Sequence, residues 1–339
     1  MGGSGASRLA DHGESVVEDG RLNTRNENSE VTVAVVGRPA AGHLPLIKSL
    51  TGTRPQVKRW SGAATGEENG TDYEFHGCRI RLVVLPGTSL LSPRTREEGI
   101  SRDYLIDGKP DLILNVVDAT DLERDLSLTI RLMELGLPMV MALNRCDVVE
   151  ARGCRIDVAA LERILEIPVV PTATRRKNKP EVLMSKLIFV ADTPSTGRPR
   201  QFEYGNDVEC ASEFIEAAII LNHQELARRY PLRWLVYKVM EGDPSVEGEL
   251  MSGSMVAEAL HELRRVHGEN LSAHLAAVRV GLAGSIAREV LGNTGTGRAE
   301  LAGMVERGGL SRFLTPPVFL AAMALLFSLA LGTSVPFGG

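Results

Sequence analysis

Val31-Thr32-Val33-Ala34-Val35-Val36-Gly37-Arg38-Pro39-Ala40-Ala41-Gly42-His43-Leu44 decides the fold. Its opening run, mostly apolar and rich in β-branched residues, has the pattern of a strand buried on both faces. Gly37 ends the run, and a helix-like stretch follows from Leu44 to Leu50. The spacing from Gly37 to Gly42 fits the phosphate-binding loop G-x-x-x-x-G-K-[ST]. Glycines let backbone N–H groups approach a phosphate, and the start of a helix adds partial positive charge. The chemical residues differ: His43 stands in the lysine's place and Leu44 in that of the magnesium-binding hydroxyl. On these residues alone, a strand–turn–helix without phosphate is an equal reading.

Outward from this stretch, buried-strand runs recur at Arg79 to Leu85, Asp111 to Val117, Pro138 to Leu143 and Ile167 to Val170. Helical patterns at Leu122 to Leu135 and Val158 to Leu165 separate the later ones. Strands alternating with helices predict an α/β domain with a mostly parallel sheet. Residues 31–192 are expected to form this α/β unit, preceded by a polar segment, 1–30, that lacks apolar periodicity and is expected to be disordered. Residues 193–207, with Pro, Ser, Thr and Gly, read as a linker. From Val208 to Val305 the periodic segments are helical: Ser212 to Arg229, Leu232 to Glu241, Met255 to Val266 and Leu271 to Leu291. An all-helical domain over 208–305 is therefore expected.

Near the carboxyl terminus, Phe313 to Leu331 carries no charge over 19 residues. A bilayer core takes about 20 such residues in a helix. A membrane helix over 313–335 is expected, and a buried core helix is the alternative. The net charge of -5 and pI near 5.9 argue against a nucleic-acid partner. The four cysteines form no C-x-x-C pair, so neither zinc nor redox chemistry is indicated. The four histidines of the helical region lie at no metal-binding spacing; surface or capping roles are expected.

Three further motifs sit at strand ends. Asn144-Arg145-Cys146-Asp147 follows the strand Pro138 to Leu143, a placement that suits the N-[TK]-x-D element, with Arg145 at its second position. In GTPases the asparagine of that element helps fix the loop and its carboxylate accepts hydrogen bonds from guanine, the role expected of Asp147; a plain strand-to-helix turn is the alternative. Pro171-Thr172-Ala173-Thr174 fits the loop that contacts the base through its backbone. Leu85-Pro86-Gly87 ends another strand where D-x-x-G is usual, with Val84 in the aspartate's place. The candidate ligand-binding residues are thus Gly37, Gly42, His43, Asn144, Asp147, Thr172 and Ala173; no catalytic residue and no metal ligand is assigned.

With these elements in order, the chain resembles the bacterial ferrous iron transport protein B family. The most specific stretch is Ser101-Arg102-Asp103-Tyr104-Leu105 through Asp147, including Pro110-Asp111-Leu112-Ile113-Leu114-Asn115-Val116-Val117-Asp118-Ala119-Thr120-Asp121 and Leu132-Met133-Glu134-Leu135-Gly136-Leu137-Pro138. Tyr230-Pro231-Leu232-Arg233-Trp234-Leu235 and Glu241-Gly242-Asp243 resemble the family's helical domain, and Phe313-Leu314-Thr315-Pro316-Pro317 the start of its first membrane helix. The resemblance implies a GTP- or GDP-binding domain on the cytoplasmic side of the inner membrane, regulating Fe(II) transport. The further membrane helices that carry the ion in that family are not in this sequence, so a fragment, a split-gene half or a truncated relative is expected. It also implies five replacements: Ala40 for an asparagine tied to potassium-assisted activation, His43, Leu44, Ala64 for the switch threonine, and Val84. Thr65 stands next to Ala64. These changes leave guanine contacts but put magnesium binding in doubt, so weak or absent GTP hydrolysis is expected. A working GTPase with unusual residues, and a membrane-tethered interaction module without nucleotide, are the alternatives.

Overall fold

The computed structural model describes residues 30–52, 70–89, 91, 95–173, 180–244, 246, 250, 254–267 and 270–293. A six-stranded sheet has the order β2-β3-β1-β4-β5-β7. Its strands are β1 (Glu30–Gly37), β2 (Gly70–Phe75), β3 (Cys78–Val84), β4 (Leu112–Asp118), β5 (Met139–Asn144) and β7 (Val169–Pro171). All neighbours run parallel except β2, which pairs antiparallel with β3. The predicted strands that begin at Val31, Arg79, Asp111, Pro138 and Ile167 are all present. Strand β2 was not anticipated, because Gly70-Thr71-Asp72-Tyr73-Glu74-Phe75 is a polar edge with only Phe75 buried.

The helices of this layer are α1 (His43–Thr51), α2 (Arg96–Asp107), α3 (Leu122–Met133), α4 (Cys146–Ala151), α5 (Val158–Leu165) and α6 (Pro180–Asp192). They cover both faces. One apolar layer joins Val33, Val35, Leu46, Ile47 and Leu114 to Leu183 and Leu187 of α6. The other joins Ala34, Val36, Ile113 and Met141 to α3 and α5, and runs on into the helical domain. That continuity seats the second domain on α3 rather than on a flexible tether.

The helical domain comprises α7 (Asn206–Asn222), α8 (Gln224–Arg229), α9 (Leu232–Met240), α10 (Ser254–His267) and α11 (Leu271–Val290). The predicted helix from Ser212 to Arg229 is two helices, broken at His223. Trp234 is buried and stacks on Tyr230 with 5.7 Å between centroids. His267 and His274, on successive helices, bring their rings to 4.0 Å, and His267 also bonds Asp207. No cluster of potential metal ligands occurs among the described residues.

Two features depart from a simple linker and a purely helical second domain. The segment read as linker is packed: Pro194–Gly197 is a 3-10 turn with Gly197 buried, and Arg200 donates its amide to the Leu165 carbonyl at 3.1 Å. The chain after α11 also returns as β8 (Leu291–Asn293), antiparallel to β6 (Cys154–Ile156). No described helix is long and apolar enough to cross a membrane. Phe313 to Leu331 and the amino-terminal segment lie outside the described residues.

Candidate functional site

Strand β1 delivers Gly37 to the end of the sheet, beside Val116 of β4. The loop then turns through Gly42, which caps α1 with φ 81° and ψ 27°. That left-handed conformation favours glycine. A Cβ at Gly42 would also lie 2.8 Å from Asn144 Nδ2. The loop is therefore held by its neighbour across the sheet as well as by its own turn.

His43, the first residue of α1, is only 7% exposed, and its Nδ1 has no hydrogen-bond partner. Burial lowers its pKa, and a hydrogen bond with the Arg38 backbone opposes that shift. The ring is thus neutral at pH 7 and brings no charge to the place of the lysine. Its pKa lies near 6.5 when unfolded and lower when folded. Stability is accordingly full above that pH and falls as pH drops through 6.5 toward the folded value. Urea denaturation between pH 8 and pH 5 should record the decline, and His43→Gln should flatten it. An unchanged slope in the variant would assign the dependence to other groups.

The magnesium positions do not fit a metal. Leu44 is exposed and apolar, and Val84 is buried at the end of β3. Neither side chain can bind a cation, directly or through water. Ala64 and Thr65 lie outside the described residues. The segment after Val84 closes on the phosphate loop: Thr88 donates its amide to the Gly37 carbonyl at 3.2 Å, and a Cβ on Gly87 would meet Pro39 Cα at 2.8 Å. Gly87 is required there by contact.

The residues expected on the base side are brought together. Asn144, buried at the end of β5, donates from Nδ2 to the Ala41 carbonyl at 3.0 Å. Its Oδ1 accepts from Thr172 Oγ1 at 3.2 Å. The Thr172 amide donates to the Leu143 carbonyl at 2.8 Å, and its own carbonyl accepts from the Cys146 amide at 3.2 Å. Asp147 follows in the first turn of α4, partly exposed, and Ala173 follows Thr172. Asn144 therefore joins the phosphate loop, the Asn144–Asp147 loop and the Thr172–Ala173 loop. Burial pushes the Cys146 thiol up to about 11, which keeps it protonated at neutral pH.

Charged residues missed in the sequence surround these loops. Arg38 donates to Asp125 at 2.7 Å and to Asp121 at 3.0 Å. Arg145, at φ 64°, donates to Asp118. No linear pattern reveals these pairs, since Arg38 and Asp125 are 87 residues apart.

Two family models match consecutive stretches of the chain. The model described as ferrous iron transport protein B matches residues 31–187, and that of the FeoB cytosolic helical domain matches residues 204–292. The chain belongs to the ferrous iron transport protein B family. Among curated members, the Fe(2+) transporter FeoB of Salmonella typhimurium is 32% identical over 312 residues. That match takes in 89% of this chain and 39% of the transporter. The Escherichia coli transporter is 30% identical, with the same coverage of each chain. The chain thus spans about two fifths of the length of these FeoB relatives. Among solved structures, the cytosolic domain of T. maritima FeoB in a GDP form has a TM-score of 0.67 at 25% identity. It covers 78% of this chain and 98% of its own. A GDP-bound variant of the S. thermophilus FeoB G-domain has a TM-score of 0.67 at 27% identity, covering 77% and 100%. The α/β sheet followed by a helical domain is therefore the architecture of FeoB cytosolic regions.

Proposed function

We propose that this chain is the cytoplasmic, guanine-nucleotide-binding part of a ferrous-iron transporter of the inner membrane, with GTP hydrolysis weak or absent. One observation carries the reading. Asn144 bridges the Thr172–Ala173 loop to the Gly37–Gly42 loop, where a buried, neutral histidine stands in the lysine's place. The contacts of Asn144 support nucleotide binding by these loops, and the side chains at the lysine and magnesium positions carry no charge. Phosphoryl transfer draws its acceleration mainly from positioned charge on the γ-phosphate. Neutral His43, exposed Leu44 and buried Val84 supply none.

The lost lysine contact costs about 1.5–3 kcal/mol, or roughly tenfold to a hundredfold in affinity. Binding therefore rests on the base and on backbone amides. The GDP recorded in T. maritima FeoB supports guanine as the ligand class. Asp147 is the residue that distinguishes guanine from adenine. Calorimetry should show GDP binding the native chain more tightly than ADP, and Asp147→Ala should abolish that preference. Equal affinity for both nucleotides in the native chain would refute the reading.

Iron transport itself belongs to membrane helices beyond the described residues, on this polypeptide or on a partner chain. Phe313 to Leu331 is the stretch we assign to the bilayer. Carbonate extraction of membranes bearing the full chain tests this, and release into the soluble fraction would refute it. No nucleic-acid role is proposed.

A further inference from the structure

Asp118 closes β4, is buried, and spends both carboxylate oxygens. Oδ1 accepts from the Thr120 amide at 2.9 Å and from its hydroxyl at 2.7 Å. Oδ2 accepts from Arg145. The Asp118 amide in turn donates to Asp125 Oδ2 at 2.7 Å. Asp125, on the first turn of α3 and buried, takes Arg38 on its other oxygen at 2.7 Å. Arg38 is part of the phosphate loop, where its carbonyl accepts from the Ala41 amide at 2.9 Å. Ala41 holds Asn144, and Asn144 precedes Arg145. The contacts close into a ring: Arg38, Asp125, Asp118, Arg145, Asn144, Ala41 and back to Arg38. Three strand ends, of β1, β4 and β5, are locked in one circuit.

We propose that Asp118 and Asp125 are positioning residues of the nucleotide site, fixing the phosphate loop and the base loop relative to each other through Arg38 and Arg145. The inference rests on the guanine-nucleotide reading above. The ring explains why the two loops keep their geometry without a charged lysine. Arg145 occupies a left-handed backbone conformation, which is unfavourable for a residue with a Cβ. Its guanidinium, anchored on Asp118, offsets that preference and sets the direction in which Asp147 leaves the strand end. Arg38 is drawn toward α3 by Asp121 and Asp125, so it shapes the loop as a strut. The ring predicts coupling, because residues in one hydrogen-bonded network have non-additive effects.

The test uses the full chain and the variants Asp118→Asn, Asp125→Asn, Arg38→Gln, Arg145→Gln and Arg38→Gln/Arg145→Gln. Each single variant is expected to weaken GDP binding by about tenfold, and the double variant by clearly less than the product of its singles. Asp118→Asn is also expected to lower the preference for GDP over ADP. Amide exchange in the ligand-free protein provides a second measurement. The amides of Ala41, Cys146 and Val148 should exchange about tenfold faster in Asp118→Asn and Asp125→Asn, with that of Leu161 in α5 unchanged. Faster exchange throughout would mean a general loss of stability and would overturn the proposal. Native exchange at those loop amides, or multiplicative effects on GDP affinity, would overturn it as well. If the native chain binds no GDP, the guanine reading fails, and local exchange alone then decides whether the ring positions the loops.

Discussion

Replacing Arg279 with alanine is expected to destabilise the protein by about 3–5 kcal/mol, the range for breaking a buried ion pair by removing one partner. Arg279 lies on α11, 1% exposed, in the contact between the two domains. Its Nε donates to Glu134 at 2.6 Å, and its Nη1 bonds Glu241. Arg131 and Lys238 also reach Glu241, at 3.1 and 2.9 Å, and the Tyr204 hydroxyl donates to Glu134. Tyr204 and Tyr237 stack against the guanidinium at 5.4 and 5.9 Å.

Truncation would leave the Glu134 carboxylate buried against Tyr204 alone. Burial opposes ionisation of Glu241, but Arg279, then Lys238 and Arg131, outweigh it and hold the carboxyl at about 2. Its unfolded value is near 4.3. This contribution is therefore fully present above the unfolded pKa and is lost as pH falls toward 2. In Arg279→Ala the folded pKa moves back toward the unfolded value, so less stability should be lost across this acid range. At about 2–4 °C per kcal/mol, the melting temperature should fall by roughly 10 °C at pH 7. A shift under 2 °C would mean that water replaces the guanidinium and that the domains are held by apolar contact alone.

The second large effect is a gain. His43→Lys, Leu44→Ser, Ala64→Thr and Val84→Asp together should raise both GTP affinity and turnover. Each restored contact is worth about 2–4 kcal/mol of barrier, with incomplete additivity. The loop geometry is prepared for this: Gly42 is left-handed, Asn144 holds Ala41, and Thr88 holds Gly37. Val84 is buried, so an aspartate there costs stability unless a cation pairs with it. Magnesium should accordingly raise the melting temperature of the fourfold variant and leave that of the native chain unchanged. A fourfold variant that neither binds nor turns over GTP would show that the loop does not take up a phosphate-binding conformation.

Much of the architecture is legible along the chain because β1, β4 and β5 are buried on both faces and therefore read as unbroken apolar runs. Strand β2 is not, since it lies at the sheet edge and alternates polar residues with little apolar signal. Helix α2 begins Arg96-Glu97-Glu98-Gly99 and is held by a Thr95 cap, which accepts from the Glu98 amide, rather than by a strong apolar stripe. The pairing of β6 with β8 joins segments far apart in sequence, and neither three-residue strand stands out alone.

The site divides the same way. Motif spacing locates Gly37, Gly42, Asn144 and Asp147, because backbone geometry constrains those positions locally. It cannot show that His43 is buried, nor that Arg38, Asp118, Asp125 and Arg145 form a circuit. Those facts depend on contacts made across the sheet. Arg38 and Asp125 look like ordinary surface charges until β1 and α3 are placed side by side.

Phosphate release from GTP under single-turnover conditions reads out whether this site hydrolyses its nucleotide. It is measured on the native chain with magnesium and potassium, at pH 5.5 and pH 8, on both sides of the histidine range. The expected result is a rate near that of uncatalysed hydrolysis at both pH values, alongside measurable GDP binding. Hydrolysis as fast as that of a family member with the lysine, hydroxyl and aspartate intact would contradict a catalytically silent site.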